Sequence, residues 1–404
     1  MKSNKPSVQL SNVNKEWEKI FLGEISEIKT GPFGSALHAK DYVVSGTPII
    51  TTEHFKTGEL PLYKAELPQV SNEDYKRLKS YRLKHGDLVF SRVGSVDINA
   101  LVTEAQSGWL FSGRVLRVRP IKNVDGSYLH YLLDTTLVKN DILSRAVGQT
   151  MPSINTEILK NTLIHSSTDV REQKKIGLFF KNLDDTISLH QQELDTLKQT
   201  KQGFLQKMFP KNGETAPKIR FEGHNNEWIL RELKDVATFI NGRAYKQTEL
   251  LESGKYKVLR VGNFYTNNSW YYSDLELDEK YYADFGDLLY TWSASFGPHI
   301  WKGDKVIYHY HIWKVDLKDG YDKNFIVQLF EYDKAKIMSD KNGSTMVHIT
   351  KKGMEEKKIY IPSYNEQVKI GEFFKQLDEV IELKEQELEA LKQTKKGFLQ
   401  KMFV

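Results

Sequence analysis

Two histidines one residue apart, His309 and His311, alternate along the β-prone run 305–315 (KVIYHYHIWKV) and would share one face of a strand. Neutral imidazoles at that spacing suit a divalent metal. A metal site needs three or four ligands, and no carboxylate or third histidine stands nearby to complete it. The alternative is a pair of half-buried strand histidines. Asp184-Asp185 is the other acidic candidate, and it reads equally well as a solvated helix face. The chain contains no Gly-x-Gly-Lys-[Ser/Thr] phosphate loop, no Asn-Pro-Pro-Tyr tetrapeptide of the kind that holds a target adenine, and no Pro-Asp with a spaced Glu-x-Lys. With no cysteine it has no disulfide, thiolate ligand or cysteine nucleophile. The residues therefore predict a binding protein rather than an enzyme.

Recognition chemistry is better represented. Lys29-Thr30-Gly31-Pro32-Phe33-Gly34-Ser35 leads to His38 and Lys40, and Asn241-Gly242-Arg243-Ala244-Tyr245-Lys246 resembles it in kind. Glycines let the backbone approach a partner, and basic groups suit phosphates and guanine edges. A Gly-Asp-Leu turn opens two further loops, Ser91-Arg92-Val93-Gly94-Ser95 and Thr291-Trp292-Ser293-Ala294-Ser295. Arg forks onto guanine, whereas Trp stacks or probes shape, so a shared frame with exchanged tips fits a reader retuned for another site. A third pair of loops is Gln149-Thr150-Met151-Pro152-Ser153 and Ser344-Thr345-Met346-Val347-His348. The expected DNA contacts are Lys29, Ser35, His38, Lys40, Arg92, Ser95, Gln149, Ser153, Arg243, Tyr245, Lys246, Trp292, Ser293, Ser295, Ser344 and His348. The competing reading is ordinary strand–turn connections and drifting surface loops. The aromatics of residues 265–301 could stack on bases, but most suit a core or a half-buried strand.

What positions these loops is a repeat. Residues 197–209 (LKQTKQGFLQKMF) recur at 391–403 (LKQTKKGFLQKMF), an offset of 194 with 12 of 13 positions identical. EQKKIGLFFKNLDDTI (172–187) recurs as EQVKIGEFFKQLDEVI (366–381), and GDLVFSRVGS (86–95) parallels GDLLYTWSAS (286–295). Pro6, Val8, Leu10 and Trp17 parallel Pro217, Ile219, Phe221 and Trp228. The helical ends are nearly unchanged between copies while the globular parts have diverged. The boundaries read as a first recognition domain over 1–168, a helical spacer over 169–210, a second recognition domain over 211–362 and a second spacer over 363–404.

The spacers carry a strict 4-3 apolar spacing. The first seam is Ile176, Phe180, Leu183, Ile187, Leu194 and Leu197, and the second is Ile370, Phe374, Leu377, Ile381, Leu388 and Leu391. Polar residues interrupt both seams at the same registers, His190 with Lys384 and Lys201 with Lys395. Each spacer would form a rod of roughly 60 Å at ~1.5 Å per residue. The expected fold class is α/β (α+β) globular domains in two copies, alternating with two long helices that pair as an antiparallel coiled coil. Such pairing implies a pseudo-two-fold axis, which suits two half-sites on DNA. The globular parts show short β-prone runs (among them Thr47–Thr52, Asp87–Arg92 and Val306–Val315) and short helices such as Gly126–Leu137 and Lys323–Glu331.

Composition agrees. Hydrophobic residues make up 39% and charged residues 27% of the 404, a globular balance long enough for two domains. The net charge of +5 and pI near 8.8 permit nucleic-acid binding without requiring it. Met1 to Asn14 is polar, with no secretory signal in view, and no apolar run approaches the ~20 residues of a membrane span, so a cytoplasmic location is expected.

This combination resembles the specificity subunits of Type I restriction–modification systems, over essentially the whole chain. The carriers are the EQ-x-KI-G-x-FF-x-x-LD-x-x-I runs, the LKQ-x-K-x-GFLQKMF ends, the paired Gly-Asp-Leu turns, the loop at 31–35 and the Glu-Trp openings. The resemblance implies that each recognition domain reads one half of a bipartite double-stranded DNA site and that the helices set the unread spacer. It implies two methyltransferase (M) subunits docked on the helices, which flip and methylate adenines with S-adenosylmethionine, and two motor–nuclease (R) subunits using ATP and Mg²⁺. No cofactor is expected in this chain. A specificity subunit of another restriction class, with a fused methyltransferase–nuclease partner, and a coiled-coil scaffold without a DNA role are the alternatives.

Overall fold

A computed structural model describes residues 17–32, 36–65, 67–121, 123–211, 213–265, 267–293, 295–339 and 349–403. The chain divides into two compact units, residues 1–191 with 386–404, and residues 192–385. This division differs from boundaries drawn at the helix starts, because each unit takes part of both long helices.

The two units share one plan. In the first, an antiparallel sheet runs Ser26–Thr30, Val115–Pro120, Leu88–Ser91, Asn99–Leu101, beside a smaller sheet of Gln69–Val70, Thr47–Ile50 and Leu110–Phe111. In the second, the equivalent sheet runs Ala237–Asn241, Ile312–Leu317, Leu288–Thr291, Gly297–Ile300. Its neighbour contains Tyr271–Ser273, Tyr256–Leu259, Val306–Tyr308 and Tyr282–Ala283.

The Leu88–Ser91 and Leu288–Thr291 strands are buried on both faces, which explains their unbroken apolar run. Leu88 and Phe90 face the helix-packed core of the first unit while Val89 faces a second core cluster. Leu288 and Tyr290 against Leu289 repeat the arrangement in the second unit. The run 306–315 is not one strand. It breaks at 309–311, and its two halves enter different sheets. The expected helix 126–137 is likewise two helices, Gly126–Leu133 and Thr136–Arg145, and the helix expected over 323–331 extends to Ser339.

The long helices span Val170–Met208 and Tyr364–Met402, and every predicted seam residue is buried or half-buried. Within the first unit, Phe179 meets Phe398 edge-on at 5.1 Å, Lys395 pairs with Asp184 at 2.6 Å, and His190 lies 3.7 Å from Glu387. Within the second, Phe204 meets Phe373 at 5.1 Å, Lys201 pairs with Asp378 at 2.5 Å, and Lys384 lies 3.4 Å from Glu193. As one number rises its partner falls, so the helices are antiparallel in each unit. The polar seam residues thus face carboxylates of the other helix, the three lysines as cations. Asp184, read alternatively as a solvated face, also accepts the Tyr131 hydroxyl at 2.8 Å. Burial and this carboxylate push the Tyr131 hydroxyl pKa up, which keeps it a donor.

The repeated motif residues fasten helix to domain. Gln173 accepts the Asp125 N–H (2.9 Å) and donates to the Ser167 carbonyl (2.7 Å). Gln367 does the same with Asp322 (3.0 Å) and Pro362 (3.1 Å). The buried carboxylate beside each Gln finds different partners, the Ser167 hydroxyl for Glu172 and a two-bond Arg220 fork (2.8 and 2.7 Å) for Glu366. The terminal Phe residues insert into domain cores. Phe403 lies against Trp17, Tyr128 and Phe180, and Phe209 lies against Trp228, Phe325 and Tyr332. Among the described residues no helix is long and apolar enough to cross a membrane.

Candidate nucleic-acid interface

In the first unit the loops converge on a turn at Ser112–Arg114, where the chain leaves the smaller sheet for the central strand of the larger one. Gly31 packs directly on it. A Cβ at Gly31 would lie 2.1 Å from the Ser112 carbonyl oxygen, so only glycine fits. Four backbone hydrogen bonds fix the turn: Ser112 N–H to Ile50 O (2.8 Å), Val115 N–H to Ser112 O (2.9 Å), Gly31 N–H to Val115 O (3.1 Å) and Arg92 N–H to Arg114 O (3.0 Å). Beside it, Gly94 N–H donates to Pro152 O at 2.8 Å and Val93 bridges Ser153. These contacts join the 91–95 loop to the 147–153 hairpin.

The second unit repeats this frame around His309–His311. A Cβ at Gly242 would lie 2.4 Å from the His309 carbonyl oxygen. The matching bonds are His309 N–H to Leu259 O (2.9 Å), Ile312 N–H to His309 O (2.9 Å), Gly242 N–H to Ile312 O (3.0 Å) and Trp292 N–H to His311 O (3.2 Å). The Gly-Asp-Leu turns below are also equivalent. Gly86 and Gly286 have φ of 84° and 88°, and Asp87 and Asp287 each hold a cation of the neighbouring strand, at positions two residues apart in the repeat: Arg119 (2.6 Å) and Lys314 (2.7 Å).

This geometry changes the reading of several predicted contacts. Arg92 is not a free fork: its Nη1 donates to the Gly113 carbonyl at 3.2 Å and its Nε to the Ile154 carbonyl at 3.3 Å. Trp292 does the same work, with Nε1 donating to the Tyr310 carbonyl at 2.9 Å and its ring stacked on Trp313. The Arg-to-Trp exchange thus supplies two ways of holding one carbonyl. Arg243 is committed to Glu249 through two bonds of 2.9 and 2.8 Å. That ion pair, together with the Lys246 N–H, lowers the Glu249 carboxyl to about 2. Tyr245 turns its ring toward His309 and buries its hydroxyl. Lys29 lies over the Tyr81 ring at 4.3 Å and donates to Ser80 O.

Ser95, Gln149, Lys246 and Ser295 are exposed at loop tips, as are His38 and Lys40 on a separate turn over the smaller sheet. Ser293 is half-buried, and Ser153 donates to Val147 O at 3.2 Å. Ser35, Ser344 and His348 lie outside the described residues. Sequence reasoning missed the turns themselves. His309 and His311 stand on a turn rather than a strand. Burial, with His311 and Arg260 nearby, holds His309 down at about 4, and burial lowers His311. Both are neutral at pH 7. An alignment of FSGRVLRV (111–118) with YHYHIWKV (308–315) contains the missing signal.

Residues 14–199 and 225–393 each match the Type I restriction modification DNA specificity domain, and the chain belongs to that family. It is a specificity subunit of a type I restriction–modification system, the non-catalytic component that carries two DNA specificity domains. Two similar proteins come from Methanocaldococcus jannaschii. The type I restriction enzyme MjaVIII specificity subunit is 23% identical over 96% of this chain and 92% of its own length. A proposed MjaX specificity subunit is 26% identical over 98% and 95%. Among solved structures, the S subunit of the system from M. genitalium matches with a TM-score of 0.63 at 15% identity, covering 99% of both chains. A chain solved in work on assembly and conformational transition of a type I system matches with 0.57 at 15% identity, covering 97% of this chain and 98% of its own.

Proposed function

We propose that each unit reads one half of a bipartite double-stranded DNA site and that the paired helices set the unread spacer and dock two methyltransferase subunits. Two motor–nuclease subunits complete the restricting assembly. S-adenosylmethionine, ATP and Mg²⁺ belong to those partners, and the complex works in the cytoplasm. The observation that carries this reading is the duplicated frame: two units with the same backbone bonds around a glycine-packed turn, each surrounded by loops of different side chains. Two copies of one reader with different tips suit a site with two different halves.

Exchanging residues 1–168 for the recognition domain of a relative tests it. One half-site should change, with the other half and the spacer retained. A change in both halves, or in neither, would contradict the assignment of one reader to each unit.

A further inference from the structure

The geometry points to the three-residue turns 112–114 and 309–311 as specificity-determining elements that read base edges, one in each half-site. The inference rests on the two-reader function proposed above and adds which residues of each unit set the sequence read.

Frame and tip separate cleanly at these turns. Four backbone bonds and a fifth from a side chain on the neighbouring loop (Arg92 in one unit, Trp292 in the other) are matched between units. None of these bonds uses a side chain of the turn, although His309 stacks against Tyr245 and His311 packs edge-on against Trp292 in the second unit. At the same positions the types differ completely, Ser112-Gly113-Arg114 against His309-Tyr310-His311. The matched bonds of each turn run through its backbone, and one side chain of each, Arg114 and Tyr310, is exposed beside half-buried neighbours; such a turn lets a scaffold vary recognition without refolding.

The chemistry at each tip is distinct. The Arg114 side chain is exposed, and a guanidinium fork matches the paired acceptors on the major-groove edge of guanine. At the other tip Tyr310 is exposed, and each neutral histidine offers one donor and one acceptor. The first tip brings a charge and the second does not. Arg92 and Trp292 are positioning residues that hold the middle carbonyl.

The test is selection of bound sites from DNA pools randomised over both half-sites, using the chain assembled with its methyltransferase subunits. For Arg114→Gln, discrimination for guanine at one base pair of one half-site should fall roughly fivefold to a hundredfold, with the other half-site unchanged. Tyr310→Ala should alter only the other half-site, and thermal melting of both variants checks that the frame is intact. An unchanged motif at unchanged affinity overturns the inference. So does an equal loss on all sequences, which marks a phosphate contact. If the parent complex selects no split motif, the two-reader function itself falls, a result distinct from failure of the turns.

Discussion

Four glycines interrupt the long helices, at the same two registers in each copy: Gly177 and Gly371, and Gly203 and Gly397. Helix propensity treats them alike, with alanine gaining roughly 1 kcal/mol at each. Packing does not. A Cβ at Gly371 would lie 2.5 Å from Asp322 Oδ1 and 2.7 Å from the Phe325 nitrogen; at Gly177 it would lie 2.8 Å from the Tyr128 nitrogen. Those atoms form the capped start of a neighbouring helix, where Asp322 Oδ1 accepts the Phe325 N–H at 2.8 Å and Asp125 Oδ1 accepts the Tyr128 N–H at 2.9 Å. Pushing them aside costs about 1–3 kcal/mol of overpacking plus ~1 kcal/mol of weakened cap, more than the propensity gain. At Gly203 and Gly397 a Cβ meets nothing within 4 Å. Gly371→Ala and Gly177→Ala should therefore lower the melting temperature by roughly 2–12 °C, and Gly203→Ala and Gly397→Ala should raise it by about 2–4 °C. Thermal melting of the purified chain reads all four. If Gly371→Ala melts at or above the parent, the account of how the repeat motif fastens helix to domain is wrong.

Other consequences follow from the same contacts. Arg220→Ala leaves the Glu366 carboxylate, 1% exposed, without its fork, and should cost about 3–5 kcal/mol in chemical denaturation. Asp184→Ala removes both the Lys395 pair and the Tyr131 bond, and a loss near 2 kcal/mol is expected, with Asp378→Ala behaving alike through Lys201 and Gln328. Burial, opposed by nearby Asp134, holds His130 down at about 4, below its unfolded value of 6.5. Between those values the unfolded chain binds the extra proton, so stability is full above pH 6.5. It should fall by about 3 kcal/mol as pH drops through that window toward 4, and His130→Gln should flatten the profile there. Inserting seven residues at matching points of both helices adds roughly 10 Å to the coil, and the unread spacer should lengthen with the half-sites unchanged.

The helices were legible because their signal is local and periodic: a seam every 3.5 residues survives any tertiary context. The polar breaks were visible too, but not their partners, because Asp184 and Asp378 face them only once the helices are antiparallel. The loops were harder. Arg92 and Trp292 looked like opposed recognition chemistries, yet both donate to a carbonyl that no sequence spacing identifies. The run 306–315 read as one strand because its β-propensity is continuous, whereas the chain must break at 309–311 to pass from one sheet to the next. Glycine function was likewise invisible, since close approach at Gly31, Gly242 and Gly371 depends on backbone atoms far away in sequence.

The measurement that tests the central claim most directly is adenine-methylation sequencing of DNA from cells carrying this chain with its methyltransferase subunit. Two readers joined by paired helices predict a split motif, with a fixed unread gap and one modified adenine on each strand. A continuous motif, or no methylation from an assembled complex, would contradict it.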